Sequence, residues 1–283
     1  MQTIDVVLGV LNKNIVEQVG YVRKGPKGFG LQLILRLLLY SVLAEVFSTR
    51  QLVKHLKKNK NILWKLGFTK LPVRRAIDGW FEKYEFILSQ VIGLTGNQYL
   101  QLNQSEWTIL DSTPIRHKED PDAKKGYSSQ GEFYGFKIHL SCDENCVPLR
   151  AIFTTGNVHD SSPAIGLLAP TPYVGGDAAY DFEELKIAVS QQESKGYFVH
   201  NPRREGKEKK RPTPKILRKV RVRVEQCNSI LKEQVLKRTW TKIKGYAKKA
   251  TRCLLGVLAI QALAIANLKK WNYPSVRITN LRA

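Results

Sequence analysis

Short alternating and apolar runs mixed with helical patterns between residues 105 and 200, set between two helical stretches, predict an α/β fold. It is a mixed β-sheet flanked by helices, preceded by an all-α region. A large positive charge narrows the reading. The 283 residues carry 46 Lys and Arg against 24 Asp and Glu, a formal net charge of +22, and 43% hydrophobic residues suffice for an ordinary globular core. Such a balance excludes collagen, a coiled-coil rod and wholesale disorder. It points to a polyanionic partner, nucleic acid before an anionic membrane surface.

The first hundred residues read as helical. Leu31, Leu33, Ile34, Leu37, Leu38 and Val42 recur at helix spacing, and Ser48-Thr49-Arg50-Gln51 opens a second helix with a capping residue. A third is predicted from Leu71 to Leu88, with Pro72 in its first turn. Lys54, Lys57, Lys58, Lys60 and Lys65 lie between the second and third helices. With Arg50, Arg74 and Arg75 they suit a helix-turn-helix-like module on DNA. A small helical bundle with a solvated basic face accounts for the same residues equally well.

From about residue 105 the pattern changes. Trp107 to Asp111 is an apolar run ending in a carboxylate, and Gly135–Leu140 and Val147–Phe153 alternate around the turn residues Asp143-Glu144-Asn145, so an antiparallel hairpin is expected. Ser161-Ser162-Pro163 is expected to cap a helix to Leu168, with Asp160 or Ser161 as the cap. Tyr173 to Asp177 is a further strand ending in an acid. A helix from Phe182 to Glu193, capped by Asp181, and a strand from Gly196 to His200 follow. The order is β, β, β, α, β, α, β.

The last third is basic and helical. Between Arg203 and Lys249 there are 18 Lys or Arg against four Glu. A charged loop from Arg203 to Pro214 leads into one long helix from Lys215 to about Lys237, then an apolar helix from about Ala247 to Lys269 packs under the sheet. Neither Phe29–Phe47, interrupted by Gln32, Arg36 and Glu45, nor the short run Cys253–Ala266 suits a membrane span, and no secretory leader is read at Met1, so a soluble, intracellular protein is expected. Cys142, Cys146, Cys227 and Cys253 form no disulfide scaffold. His139 with Cys142 and Cys146 lacks a fourth zinc ligand. Trp240 reads as core packing ahead of base stacking.

Asp111 and Asp177 each end a strand of apolar residues, where a carboxylate is expensive to bury unless paired or bound to a cation. Glu225 stands on a helix that otherwise carries Arg218, Lys219, Arg221, Arg223 and Lys232. Three acids from two strands and a helix would make an oxygen-rich site suited to Mg²⁺. The plainer alternative stays open: Glu225 pairing with Arg221 at helix spacing, and Asp111 capping the turn before Pro114.

These segments resemble the DDE transposases of bacterial and archaeal insertion sequences. The resemblance rests on Leu110-Asp111-Ser112-Thr113, on Gly175-Gly176-Asp177-Ala178-Ala179-Tyr180-Asp181, and on Arg221-x3-Glu225-x6-Lys232, which is similar to the Y-x2-R-x3-E-x6-K signature of a large branch of these enzymes. Gly135–Leu140 and Gly156–Ser161 look like linking segments of the family, and Ser48–Phe68 is similar to its helical DNA-binding region. One departure is that Arg218 stands where the signature has tyrosine.

The resemblance implies a ribonuclease H-like catalytic core at 101–283 behind a DNA-binding region at 1–100. It implies Asp111, Asp177 and Glu225 as the catalytic, metal-binding triad with two Mg²⁺ ions, Mn²⁺ serving as a substitute. Arg221, Lys232 and Arg218 are then expected on the DNA. The expected partners are double-stranded DNA, as the element's terminal inverted repeats and its target, and a second copy of the chain; no membrane is expected. The expected activity is cut-and-paste transposition in a prokaryotic cytoplasm, at the nucleoid. A metal-dependent nuclease on the same fold and a non-catalytic DNA-binding remnant are the rival readings.

Overall fold

A computed structural model describes residues 2–20, 28–128, 130–200, 212–274 and 276. The chain begins with helices α1 (Thr3–Val10), α2 (Lys13–Gln18), α3 (Leu31–Leu43), α4 (Thr49–Lys58), α5 (Lys60–Lys65), α6 (Arg74–Lys83) and α7 (Glu85–Asn103). It continues through β1 (Trp107–Arg116), β2 (Lys124–Ser128), β3 (Gly131–Cys142), β4 (Pro148–Thr155), a 3₁₀ turn at Ala164–Leu167 and β5 (Tyr173–Gly176). After a second 3₁₀ turn (Ala178–Tyr180) come α8 (Glu183–Gln191), β6 (Lys195–Phe198), α9 (Lys215–Ser229) and α10 (Tyr246–Trp271). The strands form one six-stranded mixed sheet in the order β2-β3-β1-β5-β6, with β4 also on β3. This is the expected architecture, a sheet flanked by helices as in a ribonuclease H-like core.

The hairpin forms as expected, with Phe136 opposite Thr155 and Leu140 opposite Ala151. Its turn is held by Asp143, whose carboxylate accepts from the backbone N–H groups of Asn145 and Val147 and from Tyr99 and Ser105 at 2.7 Å each. β1 runs antiparallel to β3 and parallel to β5, and β5 is parallel to β6.

Several elements differ from expectation, each for a local reason. The helix predicted from Leu71 to Leu88 starts at Arg74 and breaks at Tyr84, because Pro72 precedes it and Tyr84 leaves helical geometry before α7 begins. Ser48 precedes α4 but makes no side-chain cap. The helix expected after Pro163 is one 3₁₀ turn without a side-chain cap. Asp181 does not cap α8; its carboxylate pairs with Lys186 at 2.8 Å. The long basic helix ends at Ser229 and passes into a π-helical turn at Ile230–Val235. The expected Arg203–Pro214 loop lies mostly outside the described residues.

Helix α10 is the spine. It is long and apolar enough to cross a membrane, yet 94% of its most apolar window is buried inside the protein. α1, α3, α6 and α7 pack on it, and so does β4. One hydrophobic core therefore runs from Ile4 and Leu38 through Leu88 and Leu258 to Phe136 and Leu149, and it includes Trp240. α7 approaches β4 closely at Gly96, where a Cβ would collide with the Leu149 carbonyl oxygen. All four cysteines are free and buried.

Candidate active site

The parallel register of β1 and β5 sets Ile109 opposite Gly175. Two residues further along each chain stand Asp111 and Asp177. Asp177 lies just past the end of β5 as expected, whereas Asp111 does not end its strand but sits in the middle of β1, which stays paired with β3 as far as Arg116. Asp177 leaves its strand to cap the following 3₁₀ turn, accepting from the Ala179 N–H at 2.9 Å. Asp111 accepts from the Asn228 side-chain amide at 2.7 Å.

Burial pushes the Asp111 carboxyl up to about 7, and the charge of Asp177 adds to the rise, while the Ser112 N–H and Arg221 oppose it. Burial raises Asp177 as well, against the Ala179 N–H and again Arg221. The two carboxylates thus share one poorly solvated space with one cation acting on both.

A third acid acts there too. Asp160, expected as a cap, is instead held by the buried Lys137, whose ammonium donates to it at 2.8 Å and to the Val158 carbonyl at 3.1 Å. His139 Nδ1 lies 3.6 Å from the same carboxylate, and burial lowers that imidazole to about 4, so it stays neutral at physiological pH. The charge of Asp160 helps to raise Asp111 and Asp177, and all three acids add to the burial that lifts the Tyr180 phenol far above its ordinary range.

α9 lies across β1 and β5 with Leu217, Val224 and Cys227 buried. Arg221, Glu225, Asn228 and Lys232 recur at helical spacing along this helix and the π turn that follows it. Lys232, half-buried, donates to Thr113 Oγ1 at 2.8 Å, two residues beyond Asp111. Glu225 is exposed, with no hydrogen bond or ion pair among the described residues. The pairing of Glu225 with Arg221 left open by the sequence is not made.

Asp111, Asp177, Arg221 and Lys232 are therefore brought together, and Glu225 stands on their helix face with its carboxylate in solvent. Arg218 is exposed one turn earlier, and Arg50, Arg74 and Arg75 are exposed on α4 and α6, Arg74 within 3.4 Å of Asp78. Asn228 and Lys137 escaped the sequence reading. A signal existed only for Asn228, which sits three residues after Glu225 and four before Lys232.

Among the described residues no group of three or more His, Cys, Asp or Glu converges as a ready metal cage. The paired acids nevertheless fit a hard divalent cation. They offer only oxygen donors, they are half-buried, and they repel each other, a cost that a cation removes.

The family model of the transposase DDE domain matches residues 103–261, which spans β1 to the middle of α10 and contains Asp111, Asp177 and α9. Searches of curated proteins and of solved structures gave no match. With more than half of its length matched and Asp111 and Asp177 side by side, the chain belongs to the transposase DDE domain family.

Proposed function

We propose that the chain is a DNA transposase that cleaves the ends of its element and joins them to target DNA, with Asp111, Asp177 and Glu225 as the acids of the reaction. The observation that carries this reading is the closeness of Asp111 and Asp177, one on β1 and one just past the adjacent β5, under Arg221 and inside a matched DDE domain. Mg²⁺, or Mn²⁺ in its place, would be held by Asp111 and Asp177, with Glu225 turning in from solvent on substrate binding. When bound, the ions supply Lewis acidity for in-line displacement at phosphorus.

The remaining work belongs to the chain. Asn228 fixes one Asp111 oxygen. Lys137 holds Asp160 in place beside the pair. Arg221 and Lys232 hold phosphate oxygens on the α9 face, Arg as a fork and Lys as a point charge. Catalysis is then positioning and charge stabilisation without a covalent protein intermediate. Arg218, Arg50, Arg74 and Arg75 contact the DNA backbone, and the region 1–100 reads the element's ends. The working form is a dimer that pairs two ends at the nucleoid.

Asp111→Asn, Asp177→Asn and Glu225→Gln are each expected to abolish Mg²⁺-dependent strand cleavage while binding to element-end DNA survives. Cleavage retained by any one of them removes that residue from the triad. A second reading, a DNA-binding remnant, is favoured by two observations: Arg218 in place of the signature tyrosine and the solvent-facing Glu225 carboxylate. A footprint on end DNA with no cleavage in Mg²⁺ or Mn²⁺ selects it. Nicked products without joined ones select a nuclease.

A further inference from the structure

Away from the acids, a cavity of about 680 Å³ opens between the start of α4, α6 and the residues leading into α10. Arg252 lines it. This guanidinium is only 3% exposed and stacks between two rings, 4.8 Å from the centre of Phe81 and 5.4 Å from that of Phe47. One nitrogen donates to the Phe47 carbonyl at 2.6 Å, but among the described residues the buried Nε and Nη1 have no hydrogen-bond partner and no carboxylate pairs with the charge. Burial lowers its pKa to about 10. A buried cation normally carries a counter-ion, so one is missing here.

The rest of the cavity has the same polarity. Ser48, Thr49 and Gln51 line it at the N-terminus of α4, a helix of ten residues whose first turn has neither a side-chain cap nor an acid. Its free N–H groups and dipole favour an anion there. Lys242, Lys244 and Lys248 line the opposite wall. Lys248 pairs with Glu82 at 2.9 Å, whereas Lys242 and Lys244 are exposed and make no ion pair among the described residues. The one acid on the wall, Asp78, is within 3.4 Å of Arg74.

We infer that this cavity is a phosphate-binding site that takes the sugar–phosphate backbone of duplex DNA. One phosphodiester is received by the α4 amides beside the uncompensated Arg252 guanidinium, and the strand runs on over Lys242 and Lys244. The volume exceeds what a lone anion fills and matches a nucleotide-sized group. The choice of DNA as the source of the phosphate rests on the transposase reading; the anion chemistry does not.

The test uses the full chain carrying Asp111→Asn, without divalent metal, so that binding is read apart from cleavage. Amide resonances of Thr49, Arg50 and Gln51 and the Arg252 Nε–H are followed by NMR during titration with inorganic phosphate and with a duplex of arbitrary sequence. Both probes are expected to shift these four signals. In the same background Lys242→Ala/Lys244→Ala, a surface change safe for folding, should flatten the slope of log K against log salt for the duplex by about two. Arg252→Met should weaken duplex binding about tenfold.

Unmoved signals with either probe, or duplex binding unchanged in affinity and slope in the double lysine variant, overturn the proposal. Shifts with inorganic phosphate alone assign a free small anion and overturn the DNA claim. Cleavage intact in the unmutated acids with a silent cavity sinks this inference only. A responsive cavity in a chain that never cleaves sinks the catalytic reading only.

Discussion

Replacing Asp111 with asparagine is expected to stabilise the metal-free protein at neutral to alkaline pH. The Asp111 carboxyl is raised from 3.8 to about 7, by burial first and by Asp177 second. A folded state that holds a proton more tightly than the unfolded chain loses stability as pH rises between the two values. At 1.36 kcal/mol per pH unit, the span from 3.8 to about 7 amounts to about 4 kcal/mol, fully lost by pH 8. Asparagine carries no charge to desolvate and fits the local bonding, because the Asn228 amide oxygen is buried without a partner and accepts from an amide at 111.

Urea unfolding of both proteins at pH 5 and pH 8 isolates the effect, since the other titrating groups cancel in the difference. The variant should gain on the unmutated chain by a few kcal/mol at pH 8 and by much less at pH 5. Millimolar Mg²⁺ at pH 8 should then stabilise the unmutated chain by about 2.7 kcal/mol at a hundredfold excess over Kd, and the variant by less. A difference between the two proteins that does not vary with pH refutes the buried-charge argument. So does Mg²⁺ stabilising both equally.

Other perturbations test the frame around the site. Lys249→Met strands the buried Asp120 carboxylate, which that ammonium meets at 2.8 Å; a loss of about 3 kcal/mol in urea unfolding is expected. Gly96→Val drives a side chain into the Leu149 carbonyl and should cost about 3 kcal/mol, with α7 displaced from β4 in hydrogen exchange. Lys232→Met removes the bond to Thr113 and should leave stability within about 1 kcal/mol. The same change should reduce the salt slope of end-DNA binding by about one.

What could be read from sequence followed the range of the interactions. The hairpin was legible because alternation and the Asp143-Glu144-Asn145 turn are local. Asp111 and Asp177 stood out because a carboxylate after an apolar strand is costly wherever the chain goes. β2 was missed: Lys124-Lys125-Gly126-Tyr127-Ser128 has no apolar alternation and is a strand only because Gly131 to Gly135 pairs with it. α7 was missed because Gly93 and Gly96 lower its helical character, and the reason for Gly96 is a strand more than fifty residues away. The partners Lys137–Asp160 and Asp111–Asn228 are contacts across the fold, and no spacing announces them. The π turn that ends α9 likewise carries no pattern distinct from continued helix.

The placement of α10 has a consequence for how such proteins diversify. The amino-terminal helices and β4 lean on one rod and share its core, so neither half keeps a complete interior when the other is exchanged. A chimera that borrows the first hundred residues of a relative must also import the matching side of that rod, or it leaves voids and clashes along it. Exchanging the amino-terminal half is thus tied to compensating substitutions in a helix buried at the centre of the protein, and sequence drift at the two ends of the chain should be correlated through it.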